Sequence, residues 1–135
     1  MTTPEALPVR RSLGFGRRLE ATVAVVIARL LTFLSPERLR ALLRTLRRGA
    51  RPAPYRATAR AREAVTTVSL HCAGEGCLAR SIATALICRA HGTWPTWRVG
   101  VRTEPFTAHA WVEADGRPVG ELPGTEGFYV LMTVA

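Results

Sequence analysis

The fold is decided by a glycine-rich turn that opens into an apolar helix, Gly74-Glu75-Gly76-Cys77-Leu78-Ala79-Arg80-Ser81. The apolar run continues as far as His91-Gly92, and only Arg80 and Arg89 carry a full charge within it. Glycines on both sides predict a helix that begins at Cys77 and ends near His91. Because so few charges interrupt this helix, it is expected to be buried on most sides.

Downstream of this helix the apolar residues no longer recur at helical spacing but at every second position. Trp97, Val99 and Val101 alternate with Arg or Gly, which is typical of a half-buried strand. Three further strands are predicted, at His109–Ala114, Pro118–Leu122 and Phe128–Val134. The first two of them flank Asp115-Gly116, which is a strong hairpin signal.

Upstream of the turn, the sequence predicts helices only. One covers about Arg17 to Phe33, the next begins after Ser35-Pro36 and ends at Gly49, and a third covers Tyr55 to about Val68. The chain is therefore expected to be α+β, with a helical half followed by a helix packed on a small antiparallel sheet. We predict an Arg-rich helical region over residues 1–70 and a core over residues 71–135. With 135 residues, the two together are expected to form one compact domain.

The charge is strongly asymmetric along the chain. Residues 1–63 hold fourteen Arg and four Glu, a net +10, whereas residues 64–135 hold five Arg and six acids, a net −1. Such a basic half could attract an acidic peptide, nucleic acid or an anionic membrane, although solvated helix faces account for most of these arginines. No RNA-binding or helix-turn-helix motif is present, so nucleic acid is not expected as a partner.

The N-terminal part of the chain predicts neither a secretory signal nor a membrane span. Pro4, Glu5 and Pro8 interrupt the N-terminus before any apolar core begins. The apolar stretch Ala21–Ala28 is broken by Arg29, which leaves it short of the ~20 residues that a span needs. A cytoplasmic protein is expected, and peripheral contact with a membrane stays open.

The cysteines point to a nucleophile and not to a metal. Cys72, Cys77 and Cys88 lack the spacing of a zinc site or a disulfide framework, so no metal or cofactor is expected. Cys77 stands at a helix start, where free backbone N–H groups and the helix dipole favour a thiolate. His109 lies 32 residues further on, in a strand, and could activate that thiol as a base. Cysteine, histidine and this order of elements predict a cysteine protease or a transglutaminase-like enzyme.

Two carboxylates could complete a triad, and the hairpin register separates them. A two-residue loop at Asp115-Gly116 would set His109 opposite Leu122. A three-residue loop with a G1 bulge would pair His109 with Glu121. We favour the bulged register, because it also matches Glu113 with Arg117, and assign Glu121 as the acid. Asp115, about 20 Å along the strand from His109, is the alternative, and its role as a turn residue explains it fully.

Three segments resemble the transglutaminase-like leader peptidases of lasso peptide biosynthesis: Gly76-Cys77-Leu78-Ala79-Arg80-Ser81, Trp97-Arg98-Val99-Gly100-Val101-Arg102 and Pro105-Phe106-Thr107-Ala108-His109-Ala110-Trp111-Val112-Glu113. More narrowly, the chain is similar to the stand-alone protease half of the split B protein. The resemblance maps the family's Cys–His–acid triad onto Cys77, His109 and Glu121. Many members carry Asp at the last position, so Glu121 is a departure from the pattern.

The resemblance implies a cysteine protease that removes the leader from a ribosomally made precursor peptide. It implies two protein partners, a separate small leader-binding protein that delivers the precursor and an ATP-dependent lasso cyclase that closes the ring. Two other functions remain open: an acyl transferase with the same triad, and a non-catalytic module that holds an acidic peptide.

Overall fold

The computed structural model describes residues 13–135, and it confirms the predicted α+β class. The helices in chain order are α1 (Phe15–Leu31), α2 (Pro36–Arg47), α3 (Tyr55–Val68), α4 (Leu70–Ala73) and α5 (Cys77–Ala90). The strands are β1 (Arg51–Pro52), β2 (Thr93–Trp94), β3 (Thr96–Arg102), β4 (Thr107–Ala114), β5 (Arg117–Pro118) and β6 (Tyr129–Val134), and a 3-10 turn covers Thr125–Gly127. The short helix α4 and the parallel pair β1–β2 have no counterpart in the sequence predictions.

Local sequence signals account for the predicted helix boundaries. The side chain of Ser35 accepts a hydrogen bond from the Arg38 N–H at 3.4 Å, and Pro36 is the first residue of α2. Both features satisfy or avoid N–H groups that a helix start leaves without partners. The predicted start of α2 and the predicted helix over Tyr55–Val68 are confirmed.

The helix α5 lies at the centre of the molecule. It packs against α1 and α3 on the helical side and against β4 on the sheet side. The side chain of Ser81 accepts a hydrogen bond at 2.9 Å from the indole N–H of Trp97, which ties α5 to β3. Most residues of α5 are buried, so the predicted burial of the helix is confirmed. Its small and apolar side chains allow neighbouring helices and strands to pack closely against it. The division at residue 70 stays a prediction.

Helix α1 presents its small residues to the core and its large ones outward. Its buried positions are Ala21, Ala24, Val25 and Ala28. Large apolar residues at 15, 19, 23, 26, 27 and 30 are exposed. The small residues let the backbone of α1 approach its neighbours closely. In the described part of the chain, no helix combines the length and the hydropathy that a membrane span requires.

The main sheet has the strand order β5-β4-β3-β6, and every neighbouring pair is antiparallel. The hairpin register that we favoured is wrong. Ala114 pairs with Arg117 and Glu113 with Pro118, so the loop has two residues and no G1 bulge. Asp115 has φ 53° and Gly116 has φ 72°, and positive φ at both positions defines a type I′ turn. This turn matches the twist of the strands, and that match outweighs the predicted pairing of Glu113 with Arg117.

Candidate active site

Cys77 is the first residue of α5 and is half-buried. The turn before it is held by His71, whose carbonyl accepts a hydrogen bond from the Gly76 N–H at 2.9 Å. A Cβ at Gly76 would lie 2.5 Å from Cδ2 of the His71 ring, which is closer than real side chains come. Glycine is therefore needed at this position for the chain to enter α5 with Cys77 at its start.

His109 lies on β4, with an aromatic wall beside its ring. The ring stacks on Trp111 with 5.7 Å between centroids, and Phe128 lies 5.5 Å away on a tilted plane. Gly100 of β3 pairs with His109, and a Cβ there would meet the Trp111 indole at 3.0 Å. The absence of a side chain at Gly100 thus leaves room for Trp111. No pattern in the sequence predicts Phe128 at this position.

Glu121 contacts His109 from the loop after the hairpin, and not as its cross-strand partner as predicted. The last hydrogen bond between the hairpin strands joins the Val119 N–H to the Val112 carbonyl at 2.9 Å. Gly120 follows with φ 67°, a left-handed conformation that redirects the chain away from the ladder. The Glu121 carboxylate then contacts Nε2 of His109. The structure thus brings Glu121 and His109 together although the predicted register is wrong.

Arg62 of α3 is a member of this cluster that sequence reasoning missed. Its guanidinium forms an ion pair with Glu121 at 3.4 Å, and the Glu121 side chain is only 7% exposed. A Cβ at Gly120 would lie 2.8 Å from Cδ of Arg62, so a side chain at this position would displace the end of the Arg62 side chain. Nothing in the sequence distinguishes Arg62 from the other helical arginines, because only the fold brings α3 to this loop.

The cysteine and the histidine stabilise each other's charged forms. A hydrogen bond with His109 lowers the pKa of the Cys77 thiol against the opposing effect of burial, and the Ala110 N–H lowers it further. The hydrogen bonds with Cys77 and Glu121 raise the pKa of His109 to about 9 despite burial. Because Glu121 occupies Nε2, Nδ1 is the nitrogen that remains for the thiol. The interaction therefore favours the thiolate form of Cys77 and the imidazolium form of His109.

The carboxylate of Glu121 stays ionised although its surroundings are dry. Burial alone would raise its pKa, but the hydrogen bond and charge of His109 and the charges of Arg62 and Arg80 outweigh burial and lower it. Burial and the nearby Arg80 lower the pKa of the Arg62 guanidinium, and Glu121 opposes that change. The cluster thus holds an ionised acid against the ring that it orients.

The remaining candidates lie outside this cluster. Asp115 is in the turn at the far end of β4, where its carboxylate accepts a hydrogen bond at 3.0 Å from the Tyr55 N–H at the start of α3. Cys72 and Cys88 are buried, and burial raises the pKa of Cys88 to about 11. Within residues 13–135, no group of His, Cys, Asp and Glu side chains is placed to hold a metal ion.

The backbone N–H of Cys77, which the helix start suggests as an oxyanion donor, is engaged in this structure. It donates to the Glu75 carbonyl at 2.9 Å. Arg80 secures the same turn from the other side, with Nη1 donating to the carbonyls of Cys72 at 2.9 Å and Gly74 at 3.3 Å. The turn before α5 is therefore braced by hydrogen bonds on both sides.

The thiol chemistry of the site can be measured without any substrate. The rate of Cys77 alkylation by iodoacetamide, followed over pH by peptide mapping, should give a midpoint below the ordinary thiol value of about 8.5. His109→Gln removes the hydrogen bond that lowers the Cys77 pKa and leaves burial, so the midpoint should rise. His91→Gln, at the other end of α5, is the matched control and should leave it unchanged. An unchanged midpoint in His109→Gln would contradict the pairing.

A cysteine at a helix start, facing a histidine on a strand and a carboxylate from the loop that follows the hairpin, is the arrangement of cysteine enzymes that act on acyl groups. The model of the transglutaminase-like superfamily matches residues 21–133, and the chain belongs to this superfamily. The superfamily includes cysteine proteases and acyl transferases. No curated protein and no solved structure matches the chain.

Proposed function

We propose that this chain is a cysteine protease that removes the leader from a ribosomally synthesised precursor in lasso peptide maturation. The observations that carry the proposal are the contact of His109 with Glu121 and the lowering of the pKa of Cys77 by His109. The lowered pKa of Cys77 supplies the nucleophile, and the three sequence segments around Cys77, Trp97 and His109 resemble leader peptidases of this class. The reaction would take place in the cytoplasm, where precursors are made.

The proposed reaction has two halves. The Cys77 thiolate attacks the carbonyl carbon of the scissile peptide bond, and the His109 imidazolium gives its proton to the leaving nitrogen as the C–N bond breaks. Water then attacks the thioester, the imidazole takes the proton from that water, and the Cys77 thiolate leaves. Glu121 holds the ring and stabilises its charged form, while Arg62 holds Glu121.

An acyl transferase would use the same three side chains with an amine in place of water. One assay distinguishes the two reactions, because transfer incorporates the added amine into the product whereas hydrolysis gives the same free acid with or without the amine. A non-catalytic peptide-binding module is the third possibility. A lowered pKa at a half-buried cysteine beside a histidine argues for catalysis, since binding alone does not need it.

Cleavage is expected to depend on a separate small leader-binding protein that delivers the precursor. We expect the purified chain to cleave precursor slowly alone, and at least about tenfold faster with that partner, because bringing the scissile bond to the thiol raises its effective concentration. Product masses measured with and without the partner, with Cys77→Ala as the blank, provide the test. Equal rates in both conditions would contradict the dependence on the partner, and no cleavage in either would contradict the protease itself.

A further inference from the structure

A cleft of about 400 Å³ opens beside His109 and Glu121 and has a marked excess of positive charge. Its walls carry three arginines and one carboxylate: Arg62, Arg80, Arg102 and Glu121. A cleft with an excess of one sign of charge concentrates ligands of the opposite sign.

Two of these arginines already have partners inside the protein. Arg62 is paired with Glu121 at 3.4 Å. Arg80 is buried, and it donates to the carbonyls of Cys72 and Gly74. The donors of Arg62 and Arg80 therefore stabilise the site itself and are less available to a ligand.

The third arginine is placed differently. Arg102 ends β3, is exposed, and holds its guanidinium 4.7 Å from the centroid of the Phe128 ring. Phe128 in turn lies 5.5 Å from the His109 ring. Within residues 13–135, no carboxylate forms an ion pair with Arg102. Stacking on an aromatic face fixes a guanidinium and leaves its in-plane N–H donors available.

We propose that Arg102 binds a carboxylate of the peptide substrate close to the scissile bond. A planar guanidinium with free donors suits a carboxylate, which it can bind through two parallel hydrogen bonds. The carboxylate would come from an Asp or Glu side chain or from a peptide C-terminus. The inference rests on the proposed function in that it takes a peptide as the ligand.

Two alkylating reagents of nearly equal size test the charge preference directly. Iodoacetate is anionic and iodoacetamide is neutral, and both react with the same Cys77 thiolate, so the ratio of their rates cancels the thiolate fraction. Arg102→Gln should lower the iodoacetate-to-iodoacetamide ratio by about fivefold at low ionic strength, the size expected for a partly solvated ion pair. Arg102→Lys should keep part of the ratio, because it retains the charge without the planar fork.

Arg117→Gln is the matched control. Arg117 is also exposed and stacked on an aromatic ring, that of Tyr55 at 4.2 Å, but it does not line the cleft. Its substitution should leave the ratio unchanged. An unaltered ratio in Arg102→Gln, or an equal fall in Arg117→Gln, would overturn the proposal. Because the assay uses no precursor, the effect of Arg102 on the ratio of alkylation rates can be judged even if the chain does not cleave a leader.

Protection experiments separate the two sources of the carboxylate. Acetylated tetrapeptides carrying one Asp and an amidated C-terminus, or no Asp and a free C-terminus, should slow iodoacetamide labelling more than their fully neutral counterparts. Protection by the first peptide identifies a side-chain carboxylate, and protection by the second a terminal one. Protection that persists in Arg102→Gln, or that neither peptide gives, would overturn the assignment of Arg102.

Discussion

Cys77→Ala is expected to abolish precursor cleavage, with a fall in rate of at least about four orders of magnitude, the scale seen when a nucleophile is removed from a triad. The substitution takes away the attacking sulfur and leaves the start of α5 in place. Quantitative mass spectrometry of the released leader, at equal concentrations of folded protein, measures the effect. Circular dichroism and thermal unfolding would show that the fold is retained.

The other two cysteines are the controls for this variant. Cys72 and Cys88 are buried and do not line the cleft, so changing either to alanine removes only one buried sulfur. We expect a loss of about 1 kcal/mol in the free energy of unfolding and substantial remaining activity. Full turnover by Cys77→Ala would refute the protease assignment, whereas inactivity of a well-folded Cys88→Ala would place the nucleophile elsewhere.

Glu121→Gln is expected to reduce the cleavage rate by about two to four orders of magnitude, as the loss of an orienting carboxylate does in comparable triads. An amide cannot stabilise the charged ring of His109, and it also loses the ion pair with Arg62. Glu121→Asp should retain more activity, because the charge survives on a shorter side chain. Single-turnover rates at saturating precursor and partner isolate this effect from binding.

Asp115→Asn is the matched carboxylate-to-amide control. Asparagine tolerates the positive φ of 53° at this turn, and its amide oxygen can still accept from the Tyr55 N–H. Its activity should stay within about twofold of the unmodified chain, since stability changes at such positions are small. If Asp115→Asn were inactive and Glu121→Gln active, the triad would have to be reassigned.

Sequence patterns predicted much of the fold because strong local signals specify it. The proline after Ser35 and the glycines before Cys77 are local signals that determine where α2 and α5 begin. The hairpin shows the limit of this reasoning. The turn at Asp115-Gly116 was identified correctly, but its length depends on the twist of the paired strands, which single-sequence charge matching does not capture.

The contact of Glu121 with His109 is present, but it does not arise from the bulged hairpin register that predicted it. A regular two-residue hairpin would continue to pair the strands and leave Glu121 opposite Ala110. The left-handed residue Gly120 ends the ladder instead and turns Glu121 to the histidine. The ion pair with Arg62 was beyond prediction, because the two residues are 59 positions apart and depend on how α3 meets the sheet.

The alanine face of α1 has a consequence for the geometry around Cys77. Ala21 and Ala28 are fully buried, and α1 packs directly on the helix that carries Cys77. A larger residue at either position would overpack this buried face, and a resulting shift of α1 against α5 would move the thiol relative to the histidine on β4. The spacing between thiol and imidazole can therefore depend on side-chain volume in a helix that contributes no residue to the cluster of Cys77, His109 and Glu121.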